Sequence, residues 1–179
     1  MGHRGPHRLQ HLLSRAVWDD QQVADLAAAW AAGHLDDGDA VLIVDETADE
    51  KSSADCAGAA RQYSGTAGGV ALCQVAVTLT YAASRGHALI GRALYLPEGC
   101  AADEEHRELA GVPEQVLFAT RPQLAAALLE HAQSLGIRAR SASAYCSRVD
   151  SVCSRTWCLV DCRTYTAAAR SRCSGRTFS

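Results

Sequence analysis

The sequence predicts an α/β domain, and three observations carry that expectation. Four consecutive apolar residues, Val41, Leu42, Ile43 and Val44, run straight into the acidic pair Asp45-Glu46, as a buried strand would end. Two longer runs rich in Val, Thr, Leu and Tyr flank the turn Ser84-Arg85-Gly86, which is a hairpin signal. Segments of helical period with recognisable start and stop residues precede and follow these strands. At 179 residues and 48% hydrophobic, the chain can form one well-buried domain and is too short for two ordinary ones. The first seven residues have no apolar signal-peptide core, and no apolar run approaches the roughly 20 residues of a membrane span. A cytoplasmic protein with no membrane partner is expected.

The elements follow in order. Pro6 to Ser14 is a short helix with Leu9, Leu12 and Leu13 on one face. Asp19 or Asp20 caps a second helix, in which Val23, Leu26, Ala27 and Trp30 recur at the spacing of an amphipathic face before Gly33 stops it. His3, His7 and His11 are four apart, but Pro6 interrupts the pattern and no fourth ligand is evident, so they read as solvated. The run from Ala40 to Thr47 is an interior strand covered on both faces, with Asp45 at its mouth. A long polar connection from Thr47 to Gly69 reads as a flexible turn. Its glycines lack the Gly-Lys-Ser/Thr ending of a P-loop, and Ser64 is in no Gly-x-Ser-x-Gly elbow.

Val70 to Ala82 and His87 to Leu96 form the hairpin, closed by Pro97. Asp103 to Leu109 is a short charged helix. Arg121 to Leu135 is a longer one, capped by Thr120, with Pro122 in its first turn and Gly136 at its end. Its Leu124, Leu128, Leu129 and Leu135 face a sheet.

The net charge of −3 conceals a division. Residues 1–137 hold nine basic and eighteen acidic residues, a balance of −9, whereas residues 138–179 hold eight and two, a balance of +6. The latter segment also contains five of the eight Cys, with no Glu, Lys, Gln, Ile or Pro. Such a break marks a boundary near Arg138. Three segments are therefore expected: a helical one over 1–36, the strand-bearing one over 37–138, and a Cys-, Ser- and Arg-rich disordered tail over 139–179.

A strand ending in Asp, an antiparallel hairpin and a helix packing back make the opening half of a ribonuclease-H-like fold. Against that background the separated blocks Val44-Asp45-Glu46-Thr47, Lys51, Gly58, Arg61 to Gly68, Cys73-Gln74-Val75, Tyr81, Leu94 to Pro97, Ala110 to Pro113 and Phe118-Ala119-Thr120 matter together. From about His3 to about Arg138 the chain resembles the DDE-superfamily endonuclease domain of insertion-sequence transposases. The resemblance implies two-metal phosphoryl transfer on DNA, with Mg²⁺ or Mn²⁺ held by converging carboxylates. By that likeness Asp45 is the first of three acidic residues, the catalytic carboxylate and a metal ligand. On the residues alone, a loop-capping aspartate stands level with that assignment. Period-two alternation turns Glu46 to the opposite face, so Glu46 is given a supporting, structural role, as are Arg61, Gln62 and Tyr63.

The likeness fails after Gly136. The family continues into an apolar strand ending in Gly-Asp-Glu, which supplies the second acidic residue, and a Glu lies further on. Here the chain reads Ile137-Arg-Ala-Arg-Ser-Ala-Ser-Ala-Tyr-Cys146, and Asp150 and Asp161 lie in no strand-like run. The expectation is a partial fold with the later strands missing, an incomplete metal site that does not bind tightly, and a tail read from a shifted frame. More helical chain is expected ahead of Met1. Two other classes stay open. The chain could associate with an intact transposase as a non-catalytic, inhibitory partner. Alternatively, Cys146, Cys153, Cys158, Cys162 and Cys173 could make the tail a zinc- or nucleic-acid-binding module, although their spacings follow no zinc pattern.

Overall fold

The computed structural model describes residues 7–65, 67–144 and 157–160. Helices α1 (His7–Ser14) and α2 (Asp20–Leu35) lead into strand β1 (Val41–Glu50). Strands β2 (Ala60–Ser64), β3 (Gly69–Ala83) and β4 (Gly86–Tyr95) follow. The short helices α3 (Glu98–Ala102) and α4 (Glu104–Leu109), the longer α5 (Arg121–Ser134), and strands β5 (Ser141–Ala144) and β6 (Trp157–Val160) complete the order. Among the described residues no helix is long and apolar enough to cross a membrane.

The sheet is mixed. β3 is its longest strand and pairs antiparallel with β1 on one edge and with β2 and β4 on the other. β1 pairs in parallel with β5, which pairs antiparallel with β6. Alternation along β3 turns Val75, Val77, Leu79 and Tyr81 into the core, and their neighbours on β1 are Leu42 opposite Tyr81 and Val44 opposite Leu79. Helices α2 and α5 cover this face with Ala28, Ala32, Ala125, Leu129 and Ala132. Leu124, Leu128 and Leu135 pack beside them, as the leucine spacing predicts.

Helix ends follow the capping residues. Asp19 accepts from the Gln22 N–H at the start of α2. Thr120 and Gln123 form a reciprocal capping box on α5. At its C-terminus the Ile137 N–H donates to Ala132 O and the Gly136 N–H to Gln133 O, with Gly136 at φ 77°. That is a Schellman turn, and it sends the chain back toward the sheet with Ile137 buried.

Several expectations are corrected. Later strands are not missing: Ser141 to Ala144 lies beside Val41 to Val44, held at its entry by the Arg140 N–H donating to Ala40 O at 2.8 Å. Ser-Ala-Ser-Ala has little strand character of its own, so the register comes from the turn after α5 and from the free edge of β1. β5 thus covers the backbone edge of the apolar half of β1. Nor is β1 covered on both faces, because Leu42 and Val44 are buried while Ile43 is exposed.

The connection from Thr47 to Gly69 is not simply flexible. β1 continues to Glu50, and Ala60 to Ser64 pairs with Gly69 to Cys73. Helix α2 continues past Gly33 to Leu35, and it turns alanines inward while Val23, Leu26 and Trp30 face out. Small side chains let a helix lie close on a sheet, so shape decided the orientation against hydrophobicity. Of the expected tail, residues 145–156 and 161–179 lie outside the described residues, as do the side chains of its cysteines.

Candidate functional site

β1 delivers its two carboxylates to opposite faces. Glu46 follows Leu42 and Val44 on the helix-covered face and is half-buried. Its Oε2 accepts from Arg121 Nη1 at 2.6 Å, across 75 positions of sequence. Arg121 Nη2 donates to Gln62 Oε1 at 3.0 Å, and the guanidinium lies 4.8 Å from the centre of the Tyr95 ring. Gln62 is fixed in turn by donating from Nε2 to Cys73 O at 3.0 Å. The first turn of α5 is thus bolted to β1 and β2 by a planar donor that meets a carboxylate, an amide and an aromatic face together. Gly58 makes room for this corner. Its φ is 70°, and a Cβ there would lie 2.7 Å from Tyr95 O.

Asp45 lies on the other face, exposed, opposite Thr78 of β3. Its Oδ1 accepts from the Glu46 N–H at 2.8 Å, and Thr78 Oγ1 donates to its backbone carbonyl at 3.2 Å. Thr78 in turn pairs with Arg92 of β4, so Asp45, Thr78 and Arg92 form one row across the sheet. Arg61 and Tyr63 also alternate onto this open face, and both are exposed. Of the five residues singled out in the sequence, Glu46 and Gln62 are therefore brought together on the covered face, and Asp45, Arg61 and Tyr63 share the other.

Sequence reasoning missed Arg121 as the hub of the covered corner, because nothing local to a helix start marks a long-range partner. The signal that could have found it is the basic residue at the first position of α5, where a capping pattern favours acids. Arg92 was missed because an isolated Arg in a strand reads as solvated.

An open depression on the Asp45 face, lined by Asp37, Asp39, Val41, Ile43, Ala82, Ala83, Ser84 and Ser143, lies at the start of β1 and does not include Asp45. The Asp37 carboxyl on its rim is lowered to about 2 by hydrogen bonds from Ser84 and from the Asp39 N–H. Asp37 Oδ2 accepts from the Ser84 N–H at 2.7 Å, which ties the β3–β4 turn to the chain entering β1. Asp39 is engaged by Arg140 Nη1 at 2.7 Å. Asp37 and Asp39 thus link the chain entering β1 to the β3–β4 turn and to the chain entering β5.

A divalent metal needs several oxygens converging on one point. The described part of the strand beside β1 brings no carboxylate: Leu42 to Val44 pair with Ala142, Ser143 and Ala144. Among the described residues no three His, Cys, Asp or Glu side chains are grouped so as to hold a metal ion. The described residues alone do not fit the metal centre that the sequence resemblance implies.

A family model described as DDE superfamily endonuclease matches residues 1–142 and so spans α1 through the first half of β5. Neither the curated proteins nor the solved structures compared with the chain give a match. The matched region contains β1 with Asp45, the β3–β4 hairpin and all of α5, and on that match the chain belongs to the DDE superfamily of endonucleases.

Proposed function

We propose that this chain is the opening half of an insertion-sequence DDE transposase nuclease domain, one that keeps the first acidic residue, Asp45, and does not cut DNA by itself. The observation that carries this reading is the partner of β1. The strand order β4-β3-β1-β5, with β5 parallel to β1 after a long helix, supports a partial ribonuclease-H-like frame. In such a frame the second acidic residue belongs at the end of the strand beside Asp45, and the chain there reads Ser141-Ala-Ser-Ala-Tyr-Cys146.

Fragment character is supported by the composition break near Arg138, close to where the family match ends at residue 142. A shifted frame beyond that point accounts for both. Reading the two alternative frames of the genomic DNA downstream should then reveal a Gly-Asp-Glu block, and its absence from both would end the frameshift account. The substrate class, DNA, and the Mg²⁺ or Mn²⁺ of the intact family come from membership alone. The −9 balance of residues 1–137 supplies little affinity for phosphate backbone.

The test is nicking of supercoiled plasmid with Mg²⁺ or Mn²⁺, comparing this chain with Asp45→Ala. Equal, background-level nicking is the expected result. Nicking by the parent that the substitution abolishes would overturn the inactive reading. A second reading, association with an intact transposase without catalysis, is favoured by one observation, the exposure of Val23, Leu26 and Trp30 on α2 among the described residues.

A further inference from the structure

The chain between α4 and α5 presents large apolar residues to solvent and is held in that arrangement by one side chain. Leu109 is 72% exposed and Leu117 78%, with Phe118 at 40% and Val116 at 39%. Arg107 of α4 donates from Nη1 to Val116 O at 2.9 Å and to Ala101 O at 3.4 Å. From Nη2 it donates to Pro113 O at 2.9 Å and to Glu114 O at 3.3 Å. Its own carbonyl accepts from the Val112 N–H at 2.8 Å across the turn at Gly111, where φ is 64°. The guanidinium therefore fixes the connection against α3 and α4, and a surface ordered in advance loses less entropy when it engages a partner.

The charges select the partner. Residues 98–118 hold six carboxylates and one Arg. Glu104, Glu105, Glu108 and Glu114 are exposed, and none of them pairs with a cation among the described residues. The Arg107 guanidinium is engaged by the four carbonyls, and His106 is turned inward with Nε2 buried. An apolar surface rimmed by free carboxylates repels a phosphate backbone and lacks the basic flank of a membrane-surface element. A second copy laid on the same surface would set carboxylate against carboxylate. A cationic protein segment with large apolar side chains is the complementary partner.

The backbone decides the form of that segment. The carbonyls of Pro113, Glu114 and Val116 are taken by Arg107, and the Val116 N–H donates to Pro113 O. Groups already engaged offer no edge to which a strand could add, so recognition falls to side chains. A helix satisfies its own backbone and can lay one apolar face on the surface. Leu109, Val116, Leu117 and Phe118 together leave on the order of 400 Å² of apolar area in water, a patch of functional size. That is about half of what one side of a standard protein–protein interface buries, which suits a short helix better than a globular partner.

We propose that the surface formed by α4 and the connection to α5 docks a cationic amphipathic helix of a partner protein. Leu109, Leu117 and Phe118 are its apolar anchors, and Glu105, Glu108 and Glu114 face the basic side chains of the helix. The proposal rests on this surface and not on the nuclease reading.

Fluorescence anisotropy of a labelled Leu/Lys peptide, with leucines at i, i+3, i+4 and i+7 of a helix, titrated with the full chain under reducing conditions tests it. Binding with a Kd of about 10–100 μM is expected. Leu109→Ser and Leu117→Ser should each weaken it at least ~5-fold. Glu105→Lys combined with Glu108→Lys should weaken it ~10-fold and flatten its dependence on salt. Far-UV circular dichroism and thermal melting of these variants should match the parent, since the replaced side chains are exposed. The same peptide with Glu in place of Lys, or with Ser in place of Leu, should not bind, and Leu26→Ser on α2 should leave binding of the Leu/Lys peptide unchanged. No binding of the Leu/Lys peptide up to ~1 mM chain would overturn the proposal, as would binding that the Leu109, Leu117 and Glu substitutions leave intact. Equal binding of the Glu-bearing peptide, or loss of binding in Leu26→Ser, would overturn it too.

Discussion

Arg121 does three things with one planar group: it neutralises the half-buried Glu46, orders the Gln62 amide and lies over Tyr95. Replacing it by Ala leaves the carboxylate without its partner, and a loss of about 2 kcal/mol in unfolding free energy is expected from urea denaturation. Arg121→Lys keeps the charge and loses the fork, so it should recover less than half of that. Asp37 gives a pH signature. Its carboxyl is lowered from 3.8 to about 2 in the folded chain, so the unfolded chain binds that proton more readily. The resulting stabilisation is complete above about pH 4 and is lost as pH falls through about 2. Asp37→Asn should remove that part of the acid-denaturation profile, which thermal melts at a series of pH values would reveal. The opposite faces of Asp45 and Glu46 were legible from strand alternation alone. The Glu46–Arg121 pair was not, because its members are 75 positions apart and neither carries a local sign of the other.

Elements with strong local signals formed where the sequence put them. The capping box at Thr120, the Schellman turn at Gly136 and the β3–β4 hairpin all rest on residues adjacent in the chain. β2 and β5 were illegible for the opposite reason. Ala-Arg-Gln-Tyr-Ser and Ser-Ala-Ser-Ala have little intrinsic strand preference, and each becomes a strand because β3 or β1 offers unpaired backbone. α2 shows a third case: its periodicity was legible, but its orientation depended on how closely alanines let it approach β4. A consequence follows for β1. Ending the chain after Arg138 removes β5, and the apolar stretch Val41 to Val44 becomes an open sheet edge. Such a truncated chain should sediment as aggregate under conditions that keep the full chain in solution. Equal solubility of the two would mean that β5 does not protect that edge.

The molecule as a whole is a mixed sheet with helices that matches the endonuclease family, and on the proposed reading its site is incomplete. α2 and α5 seal one face of the sheet, while the face that bears Asp45, Arg61, Tyr63 and Arg92 has no gathering of metal ligands among the described residues. The family was legible in the sequence because its blocks recur in order along most of the chain. The sequence after Gly136 lacks the family's apolar strand ending in Gly-Asp-Glu, and the structure adds that Ser141 to Ala144 nevertheless pairs with β1 as a strand without a carboxylate. The central proposal is that Asp45 lacks the family's other two acidic residues beside it, and titrating the purified chain with Mn²⁺ under electron paramagnetic resonance tests it most directly. The account predicts only weak binding, with a dissociation constant of about 1 mM or more, and the same titration curve for Asp45→Ala. A site of about 10 μM or tighter that disappears in Asp45→Ala would show converging ligands and contradict it.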